Sequence, residues 1–183
     1  MLLGYKTTVR NCLIVNNSIS QMNNTVYDYP VAGAVRTTES ASYSAGAAVE
    51  NCTIVGNRSC VHQAAGGVYL LAGSIINSIC FDNGGQRKNQ SWIDGNLVLS
   101  GGAAATYTLT KGEVAGEGNL AADPLLNDDY TFGRRSPALN AGIRQEWMKG
   151  ALDLSGKARV YGDRVDLGCF ELEIMQGFRV IVR

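Results

Sequence analysis

Val9-Arg10-Asn11-Cys12-Leu13-Ile14-Val15-Asn16-Asn17 returns as Val49-Glu50-Asn51-Cys52-Thr53-Ile54-Val55-Gly56-Asn57. A looser third copy reads Ile75-Ile76-Asn77-Ser78-Ile79-Cys80-Phe81-Asp82-Asn83. Each copy opens on an apolar residue, places Asn third and closes on Asn. Self-similarity of this kind marks a repeat architecture, in which each unit buries its apolar face against its neighbours. The copies lie 40 residues apart (Asn11 to Asn51) and then 26 (Asn51 to Asn77). A coil of about 22 to 26 residues with three short strands fits the second interval. The first is then one coil with an insertion of roughly 14 residues, within Ser20 to Pro30 or Thr37 to Ser44, both polar and aperiodic.

Alternation inside the phrase sets its orientation. Cys12 and Ile14 point one way and Leu13 the other. The middle position reads Leu13, Thr53 and Ile79, a mixture suited to an outer face. Parallel coils place each residue about 4.8 Å above its counterpart, so like stacks on like. The column Asn11, Asn51 and Asn77 is then expected to form an amide ladder along the axis while satisfying the turn backbone. The expected core contains Val9, Cys12, Ile14, Val49, Cys52, Ile54, Ile75 and Cys80. Glycine-bounded strands are expected at Gly33 to Thr37, Gly66 to Leu71 and Gly95 to Leu99, with a further strand at Thr106 to Thr110. No window keeps helical periodicity over three turns, so only Ile143 to Lys149 is expected to make a helical turn. The pattern resembles the right-handed parallel β-helix, an all-β solenoid, with the hand following the general crossover preference.

Composition agrees with many short strands joined by tight turns. Charged residues make up 17% of the 183-residue chain, and glycine accounts for 22 positions, against about 25% charged and about 7% glycine in ordinary domains. Sixteen basic and sixteen acidic residues cancel, so no net field favours nucleic acid or an acidic membrane surface. No run reaches the roughly 18 apolar residues of a membrane span, and Met1 to Lys6 lacks the apolar stretch of a signal peptide. Solenoids need dedicated terminal caps, and the first repeat begins only eight residues after Met1. The chain is therefore expected to be the C-terminal portion of a longer protein. Its open N-terminal coil would be a surface for self-association, because unpaired strand edges recruit other chains. The five cysteines show no metal-site spacing. Cys80 takes a position that Ile holds in the other copies, so the cysteines read as small buried hydrophobes, with a disulfide as the alternative.

The C-terminal third carries a run of motifs: Asp123-Pro124-Leu125-Leu126, Ser136-Pro137-Ala138-Leu139-Asn140-Ala141-Gly142, Asp153-Leu154-Ser155-Gly156-Lys157-Ala158-Arg159 and Val165-Asp166-Leu167-Gly168-Cys169-Phe170-Glu171. In this order they resemble the end of choice-of-anchor Q domain proteins, bacterial surface β-helix proteins of pectate-lyase-like fold. Asn140 and Cys169 depart from the family's usual Asp and Ala. The resemblance implies coils with insertion loops over 1–117, a C-terminal coil and β-rich cap over 118–173, and a tail strand over 174–183. It also implies an exported, extracellular or cell-surface parent protein. Asp153, Arg159, Asp166 and Glu171 belong to the terminal motif and are expected to hold the cap through Arg–carboxylate pairs.

Chemistry is sparser. Arg10 and Glu50 share a column and are expected to pair across coils. Asp82 suits a turn beside Asn83. In the repeat region no two acids fall at i and i+2 of one strand, which argues against the paired carboxylates of a glycoside hydrolase or the calcium ligands of a lyase. Tyr27, Tyr29, Tyr69 and Trp92 are candidate sugar-stacking residues, with Tyr27 and Tyr29 on a binding lip. No catalytic residue, metal site or cofactor emerges. The expected function is a non-catalytic segment that contacts polysaccharide or glycan. Part of a polysaccharide lyase or glycoside hydrolase, and a structural stalk or adhesin segment, are the alternatives.

Overall fold

Every repeat phrase spans two strands and leads into a third, because two of its positions adopt left-handed backbone. The computed structural model describes residues 1–19, 32–37, 46–59, 65–86 and 92–174. The first coil contains β1 (Leu2–Leu3), β2 (Thr8–Arg10), β3 (Leu13–Val15) and β4 (Ser18–Ile19). The second contains β5 (Val35–Thr37), β6 (Ala48–Glu50), β7 (Thr53–Val55) and β8 (Arg58–Ser59). The third contains β9 (Val68–Leu70), β10 (Ser74–Ile76), β11 (Ile79–Phe81) and β12 (Gly84–Gln86). After β13 (Trp92–Asp94), the fourth contains β14 (Leu97–Leu99), β15 (Ala104–Thr106) and β16 (Leu109–Thr110), followed by β17 (Leu120–Ala121).

Equivalent strands stack into four sheets, ordered β1-β5-β9-β14, β2-β6-β10-β15, β3-β7-β11-β16-β17 and β4-β8-β12-β13. All pairings are parallel except β12 with β13, which turns back antiparallel. The described residues thus form a parallel β-helix of four coils, the first three with one strand position more than expected. The extra sheet is built from the residues just after each closing Asn. Among the described residues the only helical element is a single 3-10 turn, Glu146–Met148, inside the expected segment. The insertion expected between the first two phrases falls largely on residues outside those described, as does the tail beyond residue 174.

The two asparagines of the phrase have different jobs. Asn11, Asn51 and Asn77, at the third position, have φ of 51°, 48° and 51°, and Tyr107 takes the same corner in the fourth coil at 47°. Asn tolerates this conformation better than most residues. The eighth position is a second such corner: Asn16 at 54°, Gly56 at 71° and Asp82 at 47°. The amide ladder expected at the third position stands instead at the ninth. Asn17 Nδ2 donates to Asn57 Oδ1 at 2.9 Å, Asn57 Nδ2 to Asn83 Oδ1 at 2.9 Å, and Asn83 Nδ2 to Asn96 Oδ1 at 3.1 Å. The backbone N–H of each donor residue reaches the same oxygen. The third-position amides cannot join in, because their left-handed corner turns them outward. Asn11 donates to Leu152 O at 2.6 Å and Asn77 to Ile143 O at 2.8 Å, while Asn51 has no side-chain partner among the described residues.

Inside the stack, Val9, Val49, Ile75 and Ala105 form one column of the second sheet, and Ile14, Ile54 and Cys80 one column of the third. Val49, Cys52, Ile54, Ile75 and Cys80 are fully buried, whereas Cys12 and Ile14 are half-buried in the first coil. Cys12, Cys52, Cys80 and Cys169 are free thiols; Cys60 lies outside the described residues.

The middle column of the third sheet, Leu13, Thr53, Ile79 and Leu109, faces outward as its mixed composition implied. It is nevertheless covered. The C-terminal cap lies along this flank, and Phe132, Ala138 and Leu167 pack on Ile79 and Leu109 in a second apolar core. The cap's own β content among described residues after β17 is two isolated antiparallel bridges, Leu126 with Phe132 and Leu152 with Ala158. Cap residues touch all four coils. Leu152 O meets Asn11, Cys169 N donates to Thr53 Oγ1 at 3.1 Å, Gly168 N donates to Asn77 O at 2.8 Å, and Arg164 sits 5.6 Å over the Tyr107 ring. Gly168 makes this approach feasible. Its φ is +89°, and a Cβ there would lie 2.5 Å from Thr53 Oγ1.

The different roles of the two asparagines can be separated by substitution. Asn57→Ala removes a buried rung and strands donors on one side and an acceptor on the other, so it should cost about 3 kcal/mol. Asn51→Gly keeps the left-handed corner and discards an amide without a partner, so it should cost less than about 1 kcal/mol. Urea unfolding of both variants checks the contrast, and equal losses would return the ladder to the third position.

Candidate functional site

The four terminal-motif charges do come together. Asp153, Arg159, Asp166 and Glu171 are all buried beneath the cap. Arg159 Nη2 donates to Asp166 O at 2.8 Å and Gly168 O at 2.9 Å, and lies 3.6 Å from a Glu171 carboxylate oxygen. Its Nε and Nη1 have no hydrogen-bond partner among the described residues. The carboxylates chiefly accept from backbone. Asp166 takes the N–H groups of Asn140 at 2.6 Å and Leu172 at 2.7 Å, while Asp153 takes those of Ser155, Lys157 and Glu171. Each acid therefore ties two distant turns, and Arg159 ties the carbonyls around Gly168. The expected Arg–carboxylate arrangement is present, but backbone bonds outnumber the one ion pair. Buried without solvent access, this cluster is a staple for the cap.

Burial perturbs it. Glu171 is pushed up to about 8, first by loss of solvation and then by the nearby Asp166 charge, against the pull of Arg159. Asp166 is raised and Arg159 lowered, both chiefly by burial.

An open site lies where the cap begins. A groove of about 360 Å³ runs between the third sheet and the segment 123–130. Val55 and Phe81, register partners on neighbouring strands, form its half-buried floor. Leu126 and Pro124 extend the apolar wall, and Asp123, Asn127, Asp128 and Tyr130 supply polar groups. The wall is held by local bonds. Asp123 Oδ1 accepts the Leu125 N–H at 2.8 Å, allowing Leu125 a φ of 53°. Tyr130 Oη accepts from Asn16 Nδ2 at 2.8 Å, which ties the wall to the first coil. Asp129 accepts both N–H and hydroxyl of Thr131, and these bonds hold its carboxyl below the ordinary value. An apolar floor with aromatic rings and fixed acceptors is what a sugar ring needs: C–H faces meet the rings and hydroxyls donate to carboxylates.

Two larger clefts lack an aromatic wall. One, of about 440 Å³, is lined by Arg144, Glu146, Met148 and Lys149, and the other, of about 540 Å³, by Glu113, Val114, Asn119 and Leu120. The proposed stacking residues are elsewhere. Tyr69 lies on the outer face of the first sheet between Arg36 and Val98, and Trp92 belongs to β13 of the fourth. Tyr27 and Tyr29 lie outside the described residues. Arg10 pairs with Glu50 as expected and also lies 5.0 Å from the Trp147 ring. Asp82 occupies its turn and binds Arg58 at 3.2 Å. Among the described residues no cluster of three or more His, Cys, Asp or Glu is arranged to hold a metal. No helix there is long and apolar enough to cross a membrane. Compared with protein-family models, curated proteins and solved structures, the chain matches none.

The buried cluster makes stability depend on pH. A carboxyl whose folded pKa exceeds its unfolded value stabilises fully below the unfolded value and loses that contribution as pH rises through the folded one. For Glu171 the window runs from 4.5 to about 8. The melting temperature should fall across it, and Glu171→Gln should flatten that fall. Thermal scans by circular dichroism at half-unit pH steps measure both; a wild-type midpoint rising from pH 5 to 8 would contradict the assignment.

Proposed function

We propose that this chain is a non-catalytic β-helix segment of an exported bacterial surface protein, and that it binds polysaccharide or glycan in the groove beside Phe81 and Tyr130. The observation that carries this reading is the groove itself: an aromatic and aliphatic floor rimmed by Asp123, Asn127 and Asp128. The terminal motif run supports the surface origin by its resemblance to choice-of-anchor Q domain proteins. Solenoid scaffolds also favour such contact, because stacked coils present extended surfaces for chain-like ligands.

The enzyme reading has one observation in its favour. Asp123 and Asp128 line the same groove, and glycoside hydrolysis needs two carboxyl groups facing one bond. Both, however, are exposed, whereas a general acid is ordinarily held in a desolvated pocket.

Titration calorimetry with pectic, alginate and host-type oligosaccharides tests the proposal. Tyr130→Ala should weaken binding by roughly tenfold or more, the usual effect of removing an anchoring aromatic. Lys149→Ala, in the cleft without aromatics, should leave it unchanged. Product release from any of these glycans, lost in Asp128→Asn, would establish the hydrolase instead. Absence of binding across the panel would leave the stalk reading.

A further inference from the structure

One column at the corner between the second and third sheets holds Cys12, Cys52, Ser78 and Thr108 in successive coils. All four side chains make the same bond. Cys12 Sγ reaches Arg10 O at 3.0 Å, Cys52 Sγ reaches Glu50 O at 3.3 Å, Ser78 Oγ reaches Ile76 O at 2.9 Å, and Thr108 Oγ1 reaches Thr106 O at 3.0 Å. The corner therefore needs a small donor to the carbonyl two residues back, and a hydroxyl serves as well as a thiol. In this column thiols stand only in the first two coils, one above the other. The Thr53 N–H bonds Cys12 O at 3.0 Å, which seats Cys52 over Cys12. Cys52 Sγ also approaches Val9 O of the first coil, at 3.6 Å.

We infer that Cys12 and Cys52 form a peroxide-responsive dithiol, in which Cys12 is oxidised and Cys52 resolves it to a disulfide joining the first two coils. Parallel rungs sit about 4.8 Å apart, inside the roughly 4.4 to 6.8 Å Cα separation that a disulfide tolerates, so the spacing of the coils suits a bond between them. Access divides the roles. Cys12 is half-buried in the first coil, whereas Cys52 is fully buried. Interaction with Cys52 holds Cys12 below the ordinary thiol range, and interaction with Cys12 together with burial holds Cys52 well above it. An accessible, acidic thiol beside a resolving one is the arrangement of redox-sensing cysteines.

The chemistry closes on the two thiols and one hydroperoxide. The Cys12 thiolate attacks the peroxide oxygen, forming S–O and breaking O–O, and hydroxide leaves to take up a proton. The Cys52 sulfur then attacks Cys12 Sγ, forming S–S and breaking S–O, and the departing hydroxide leaves with the Cys52 proton as water. Two thiols lose two electrons, and hydrogen peroxide becomes two waters.

Trypsin separates the relevant cysteines. Cys12 falls in peptide 11–36, Cys52 in 37–58, Cys60 and Cys80 in 59–87, and Cys169 in 165–179. The full chain, reduced and then treated with hydrogen peroxide at pH 7, should yield 11–36 linked to 37–58 and lighter by two hydrogens, reversed by dithiothreitol. Cys52→Ser should stop at a Cys12 sulfenic acid trapped by dimedone, and Cys12→Ser should give neither product. Both substitutions keep the corner hydrogen bond, so both variants should fold with unchanged circular dichroism. Linkage of Cys52 to Cys169, or oxidation of Cys12 to sulfinic acid in wild type without linkage, would overturn the inference.

Discussion

The constraint on which the rest depends is that each coil must put a bondable amide above the one below. The ninth-position asparagines satisfy it from both sides. Asn57 Oδ1 receives two donors from Asn17, while its own N–H and Nδ2 reach Asn83 Oδ1. Asn57 Nδ2 also reaches the carbonyls of Ile14 and Val55, so one buried amide closes the turn and locks the register. A register slip of one residue would break every rung and turn the apolar columns outward. The left-handed corners at positions three and eight follow from the same demand, since they bend the chain sharply enough to bring the next Asn over the last.

That geometry leaves the third sheet with an apolar outer face. Ile79 and Leu109 could not remain in water without cost, at roughly 25 cal/mol per Å² of apolar surface. The cap removes them from water, and the buried charges hold the cap's own turns. The candidate groove is the remainder of this arrangement. Cover thins at the edge column where Val55 and Phe81 sit, and segment 123–130 forms a wall beside them. Scaffold and site are thus consequences of one face being only partly covered.

This explains which features could be read from the chain. The parallel coils, the core columns, the Arg10–Glu50 pair and the 3-10 turn followed from period and alternation, which act within one coil or between adjacent ones. Roles of the two asparagines did not follow, because both positions show the same residue. The useful signal was at the neighbouring eighth position, where Asn16, Gly56 and Asp82 share little except ease with positive φ. Phe81 and Tyr130 were missed as partners for a different reason. They meet because the cap returns along the flank, and no periodicity encodes the path of an aperiodic segment. Conversely, the motif run marked Asp153, Arg159, Asp166 and Glu171 as a group, since each sits on a turn that the others close.

The first coil connects the parts. In a solenoid each coil is stabilised mainly by its neighbours, so the first coil depends on the second and on the cap. Here Val9, at 8% exposure, replaces the complete burial of Val49 and Ile75, and Cys12 and Ile14 are only half-buried. Two cap bonds offset part of that deficit, Asn11 to Leu152 O and Asn16 to Tyr130 Oη. The second fixes the aromatic at the wall of the groove. Tyr130 is therefore as well placed as the first coil is ordered, and anything that fastens that coil to the second also stiffens the wall. Coil one and coil two are fastened through the Asn17–Asn57 rung, the Arg10–Glu50 pair and the bond from Thr53 N–H to Cys12 O. The thiols stacked at that same corner would add the covalent link inferred above.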